Sequence, residues 1–119
     1  MKVALYGRVS TGRQERKQTI ESQLEALRAH VREQGHELED KHVYLDEGVS
    51  GTRMDRPSLD RLRDAARDGE FKAVVVYDFD RLARRFVYQE ILREEFRRLG
   101  VELISLKSRT GETPQDQLL

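Results

Sequence analysis

Five consecutive residues, Ala73-Val-Val-Val-Tyr77, carry no charge, and the three in the middle are β-branched. Such a run has no polar face to turn toward water, so it reads as a short strand covered on both sides, as in the middle of a parallel sheet. The flanking patterns agree with that position. Lys2–Tyr6 reads as a first strand with Val3 and Leu5 on one face, Glu37–Leu45 as a second, and Val101–Leu106 as a last. Between them, Ile20, Leu24, Leu27 and Val31 recur at helical spacing in a segment that opens at Thr19 and ends near Gly35. Pro57 suits a helix's first turn; the helix it opens turns Leu59, Leu62 and Ala66 inward and stops at Gly69. A third helix covers Val87–Leu99 and ends at Gly100, and Thr113-Pro114 reads as the start of a further one. Strands alternating with helices through short links predict a three-layer α/β domain with a mainly parallel sheet.

A chain of 119 residues is the size of one domain with one modest core. There is no membrane-spanning apolar run, and Met1-Lys-Val-Ala does not begin a signal peptide. With no cysteine, disulfides and thiolate metal sites are excluded, and the cytoplasm is the expected compartment. The 22 basic and 22 acidic residues cancel, so bulk charge draws no polyanion to this chain. Any phosphate binding must come from local clustering of its arginines, which make planar, two-pronged contacts with phosphate oxygens.

Such clustering is predicted at the strand ends. Tyr6-Gly-Arg-Val-Ser10 places a hydroxyl two residues beyond an arginine, an even spacing that turns both side chains into one crevice if the backbone stays extended. Asp55-Arg56-Pro57 follows a Gly- and Ser-rich loop, and Asp80-Arg81-Leu-Ala-Arg84 follows the buried strand. Cutting a phosphodiester without metal requires a nucleophile, cations on the oxygens that gain charge, and a proton for the leaving oxygen. Each residue alone has an ordinary reading. Ser10 is then a loop residue, Arg56 a surface partner of Asp55 or Asp60, Arg81 and Arg84 the solvated face of a helical turn, Tyr6 a core ring and Asp80 a helix cap. Three segments that bring arginine to strand ends around one hydroxyl outweigh those readings together.

These residues resemble the catalytic domain of serine site-specific recombinases of the resolvase/invertase type. The resemblance rests on Tyr6-x-Arg8-x-Ser10, on Asp46-Glu-Gly-Val-Ser-Gly with Asp55-Arg56-Pro57 and Leu59, and on Val74-Val-Val-Tyr-Asp-Phe-Asp-Arg-Leu-Ala-Arg84. It runs from Lys2 to about Pro114, and the segment opening Thr19-Ile-Glu-Ser-Gln is more like the large serine recombinases of phages and mobile elements. It implies that Ser10 attacks DNA to form a 5′-phosphoserine, while Arg8, Arg56, Arg81 and Arg84 hold the phosphate. Asp80 would position those arginines or assist proton transfer, with Gln14 and Tyr6 in support. It also implies no metal or nucleotide cofactor, double-stranded DNA as partner, and a homodimer or homotetramer in a longer bacterial or phage-encoded protein. Residues 1–119 would be its catalytic domain, lacking a DNA-binding domain and the long helix beyond Pro114. Alone it is expected to be monomeric and unable to recombine DNA.

Two departures stand out: Asp78, where relatives often carry a basic or neutral residue, and Thr113-Pro114-Gln-Asp116 in place of Thr-Pro-x-Gly. Asp78 also opens a competing reading, since Asp78 and Asp80 in extended backbone share a face and suit Mg²⁺, as in Toprim-type domains. A third reading is a non-catalytic remnant that only associates with recombinase subunits. A small-molecule phosphate enzyme lacks its Gly-rich loop here. His30, His36 and His42 are read as surface residues, and Phe71, Phe79, Phe86 and Phe96 as core or helix-packing residues.

Overall fold

The computed structural model describes residues 1–9, 19–47 and 57–107. Its elements run in the order β1 (Lys2–Val9), α1 (Ile20–Gln34), β2 (Glu37–Glu47), α2 (Pro57–Arg67), β3 (Ala73–Val76), α3 (Phe79–Leu82), α4 (Phe86–Arg98) and β4 (Glu102–Ser105). All four strands are parallel, in the order β2-β1-β3-β4. Val74, Val75 and Val76 are fully buried, as their unbroken apolar run requires. Val75 faces α1 together with Val3, Leu5, Leu27 and Val31. Val74 and Val76 face the other way, toward Leu59, Leu62 and Ala66 of α2 and Leu92 and Phe96 of α4. The sheet is therefore the middle of three layers. Gly35 closes α1 at a φ of 69°, a left-handed conformation that any side chain would strain.

Several boundaries differ from expectation. β1 continues past Tyr6 to Val9, and β2 continues past Leu45 through Asp46 and Glu47, because the two strands stay paired to their ends. The single helical turn expected around Arg81–Arg84 is placed two residues earlier, as α3 over Phe79–Leu82, since so short an element leaves no periodic signal to fix its bounds. His42 is no surface residue. A register shift in the β1–β2 pairing accompanies its inward turn, and it is 1% exposed against Phe71, with Nε2 3.0 Å from Glu70. Phe86 is 72% exposed and does not pack, whereas Phe71 and Phe96 are core and Phe79 packs against it. Thr113 and Pro114 lie outside the described residues.

Candidate active site

The strand order reverses direction between β1 and β3, since the chain runs outward from β1 to β2 and then returns to β3 on β1's other side. In open α/β sheets the crevice beyond the carboxyl ends at such a point receives the ligand. Here those ends deliver Arg8 from β1 and, just beyond β3, the segment Tyr77–Arg84. Arg8 belongs to the face of β1 that carries Ala4 and Tyr6 into the α2–α4 layer, and it is fully buried.

The guanidinium of Arg8 reaches α3. Nε donates to the carbonyl of Arg81 at 3.0 Å and Nη2 to the carbonyl of Asp80 at 2.9 Å. A one-turn helix leaves its last carbonyls without intrahelical donors, and Arg8 satisfies two of them. From the α1 side, Gln23 brackets the backbone of Arg8. Its Oε1 accepts from the Arg8 N–H at 3.4 Å, and its Nε2 donates to the Arg8 carbonyl at 3.1 Å.

The cluster around Arg8 is electrostatically tense. Burial, then the neighbouring charges of Arg8 and Arg84, push the Arg81 guanidinium below its ordinary pKa. The Asp80 carboxyl is raised, first by burial and then by Asp78, against the opposing pull of Arg8 and Arg84. Arg81 is buried and Arg84 exposed. They do not share a helical face as expected, because α3 ends at Leu82 and Ala83 is extended (φ −160°, ψ 137°). They still converge on Asp80. The magnesium pair does not keep its expected geometry either: Asp78 is extended, while Asp80 lies in the first turn of α3. Among the described residues no group of three or more His, Asp or Glu side chains is arranged to hold a metal.

Asp46 organises the other wall. Tyr6 Oη donates to its Oδ2 at 2.7 Å, and the same carboxylate accepts from the N–H groups of Ser58 (3.0 Å) and Leu59 (3.1 Å) at the start of α2. Tyr6 is thus both core and site, its ring buried and its hydroxyl tied to Asp46. Ser10, Gln14 and Arg56 lie outside the described residues.

Residues 3–119 match the family described as resolvase, N terminal domain. The chain belongs to the serine recombinase catalytic-domain family. It is 38% identical over 117 residues to a candidate DNA recombinase of Bacillus subtilis (strain 168), covering 98% of this chain and 22% of that protein. It is 33% identical over 106 residues to the transposon Tn917 resolvase of Enterococcus faecalis, covering 86% of this chain and 47% of the resolvase. The chain therefore spans under half the length of either relative. Among solved structures it is similar to the N-terminal catalytic domain of TP901-1 integrase, with a TM-score of 0.83, 28% identity, and coverage of 99% of this chain and 87% of that one. A serine recombinase from Sulfolobus solfataricus superposes with a TM-score of 0.70 at 31% identity, over 98% of this chain and 74% of that one. The all-parallel sheet flanked by helices is the resolvase-like catalytic fold, and the integrase likeness agrees with the resemblance to large serine recombinases.

Two residues that shape the site carry no predicted role from sequence, Gln23 and Asp46. Gln23 left a signal: it sits on the apolar stripe of Ile20, Leu27 and Val31 and is equally buried, which a helix surface would not require of an amide. Asp46 stands in the motif Asp46-Glu-Gly-Val-Ser-Gly that carries the resemblance but has no role of its own there, because an acid before Glu47-Gly48 reads as an ordinary turn.

Proposed function

We propose that this domain cuts and rejoins double-stranded DNA by transesterification, with Ser10 as the nucleophile. The supporting observation is the gathering of Arg8, Arg81 and Arg84 around Asp80 at the sheet's reversal point, where burial and the charges of Arg8 and Arg84 hold the Arg81 guanidinium below its ordinary pKa. Like charges held together in a partly buried crevice are stabilised by an anion, and arginines stay protonated whether or not one is bound. Ser10 directly follows the last residue of β1. Its Oγ would attack the scissile phosphorus, the new Oγ–P bond forming as the bond to the 3′ oxygen breaks. Arg81, Arg84 and Arg56 would neutralise the oxygens that gain charge, each good donor supplying roughly 3 kcal/mol. Asp80, with its raised pKa, would take the Ser10 hydroxyl proton as the Oγ–P bond forms and pass it to the departing 3′ oxygen. Reversal of the same step on a new 3′ hydroxyl reseals the strand, with Gln14 and Tyr6 as supporting contacts. Subunits paired as dimers and tetramers would hold two sites together.

The test uses the natural full-length protein and a supercoiled plasmid carrying its site, in EDTA. Ser10→Ala is expected to abolish the covalent protein–DNA product and leave site binding within a fewfold. A covalent product from the alanine variant would remove Ser10 from the role, and cleavage that requires Mg²⁺ would favour Asp78 and Asp80 instead.

A further inference from the structure

The link between α3 and α4 is three residues long, Ala83 to Arg85, and it places Arg84. Arg8 holds the carbonyls of Asp80 and Arg81. Two residues beyond Arg81, the carbonyl of Ala83 accepts from Gln89 Nε2 at 2.7 Å. Gln89 is a half-buried residue in the first turns of α4. A carbonyl and the following amide share one rigid plane, so fixing the oxygen of Ala83 fixes the nitrogen from which Arg84 departs. The amide of Ala83 closes α3 by donating to the Phe79 carbonyl at 3.1 Å, whereas Arg85 makes no side-chain capping bond at the start of α4. Arg93 adds a second tie from α4, its guanidinium 4.5 Å from the centre of the Phe79 ring.

We propose that Gln89 is a positioning residue for strand cleavage, acting through the Ala83 carbonyl to aim the Arg84 guanidinium. This rests on the reading of the site given under Proposed function. The amide would never touch DNA. Arg8 from β1 and Gln89 from α4 would hold the arginine-bearing segment from opposite ends, one buried and one at the rim.

Gln89→Met keeps the length and removes the donor, whereas Gln89→Lys keeps a donor. In the full-length protein, Gln89→Met should slow formation of the covalent DNA product roughly ten- to hundredfold, the scale on which small misplacements act. Site binding and melting temperature should hardly change, and Gln89→Lys should recover most of the rate. Gln89→Asn falls short of the carbonyl and gives the same reading should methionine disturb folding. Combining Gln89→Met with Arg84→Lys should slow cleavage little beyond Arg84→Lys alone, because both act on one group. Multiplying effects, or full activity in both Gln89→Met and Gln89→Asn beside a crippled Arg84→Lys, would overturn the assignment and leave the proposed function standing. Full cleavage by Ser10→Ala and Arg84→Lys alike would overturn both.

Discussion

The two faces of β1 part company along eight residues. On one, Val3 and Leu5 meet Leu27 and Val31 of α1 in apolar contact alone. On the other, Ala4, Tyr6 and Arg8 pass from core contact, through a phenol bonded to Asp46, to a buried guanidinium that holds α3. The first face asks only for shape and volume, and many apolar side chains meet that demand. The second needs particular atoms at particular places, because each buried polar group must find its partner or lose its hydration uncompensated. The strand thus separates what keeps the domain folded from what arranges its chemistry, one residue apart.

That separation breaks if substitutions on the two faces have the same effects. Arg8→Ala should be the most damaging, because it strips two carbonyls of their donor and opens a cavity. A loss of about 2–4 kcal/mol in urea unfolding is expected, with cleavage down at least a hundredfold per folded molecule. Leu27→Ala should lower stability by a similar 2–4 kcal/mol, yet leave the cleavage rate of the folded fraction within twofold. Should Leu27→Ala slow cleavage as strongly as Arg8→Ala, the division between faces is wrong.

Smaller changes sharpen the contrast. Asp46→Asn turns an amide toward donors at the start of α2 and leaves at least one N–H without its acceptor, for about 1–3 kcal/mol by chemical denaturation. Cleavage should fall too, since Tyr6 and the start of α2 are tied through this carboxylate. Glu95→Gln weakens the two-pronged contact with Arg63, at 2.9 and 2.6 Å, by about 1 kcal/mol at neutral pH without touching cleavage. The Arg63 bond holds the Glu95 carboxyl below its ordinary pKa. Its contribution is therefore present above the unfolded-state value and lost as pH falls through the lowered folded value, where variant and parent converge.

Asp80→Asn should give the least change in stability, with the opposite sign. Its carboxyl is raised in the folded state, chiefly by burial, so its ionisation favours the unfolded chain. The asparagine variant should be slightly the more stable at neutral pH. That advantage should fade as pH falls through the raised value, while cleavage drops at every pH. Thermal melts across the acid range check the sign.

The apolar face was legible because its signal is periodic. Ile20, Leu27 and Val31, and the run Val74–Val76, announce their burial through spacing alone. The meeting of Arg8 with Asp80, Arg81 and Arg84 was also legible, since the first lies near the end of β1 and the others just beyond β3, at one edge of a parallel sheet. What could not be read was how they are held. α3 is a single turn whose C-terminal carbonyls are taken up by side chains from β1 and α4, partners that its own residues do not announce. His42 was hidden because the acids and lysine before it mask the shift that turns it inward.

The hydrogen bonds from Arg8 to α3 join residues 72 and 73 positions apart. A chain emerging from the ribosome makes Arg8 early and the carbonyls that receive it much later. Until α3 is out and β3 has docked beside β1, this guanidinium has no seat in the domain. Partly made chains, and proteolytic fragments that end before β3, can hold neither arm of the site. The order of synthesis thus withholds the Arg8–α3 cluster until β3 and α3 have both been made.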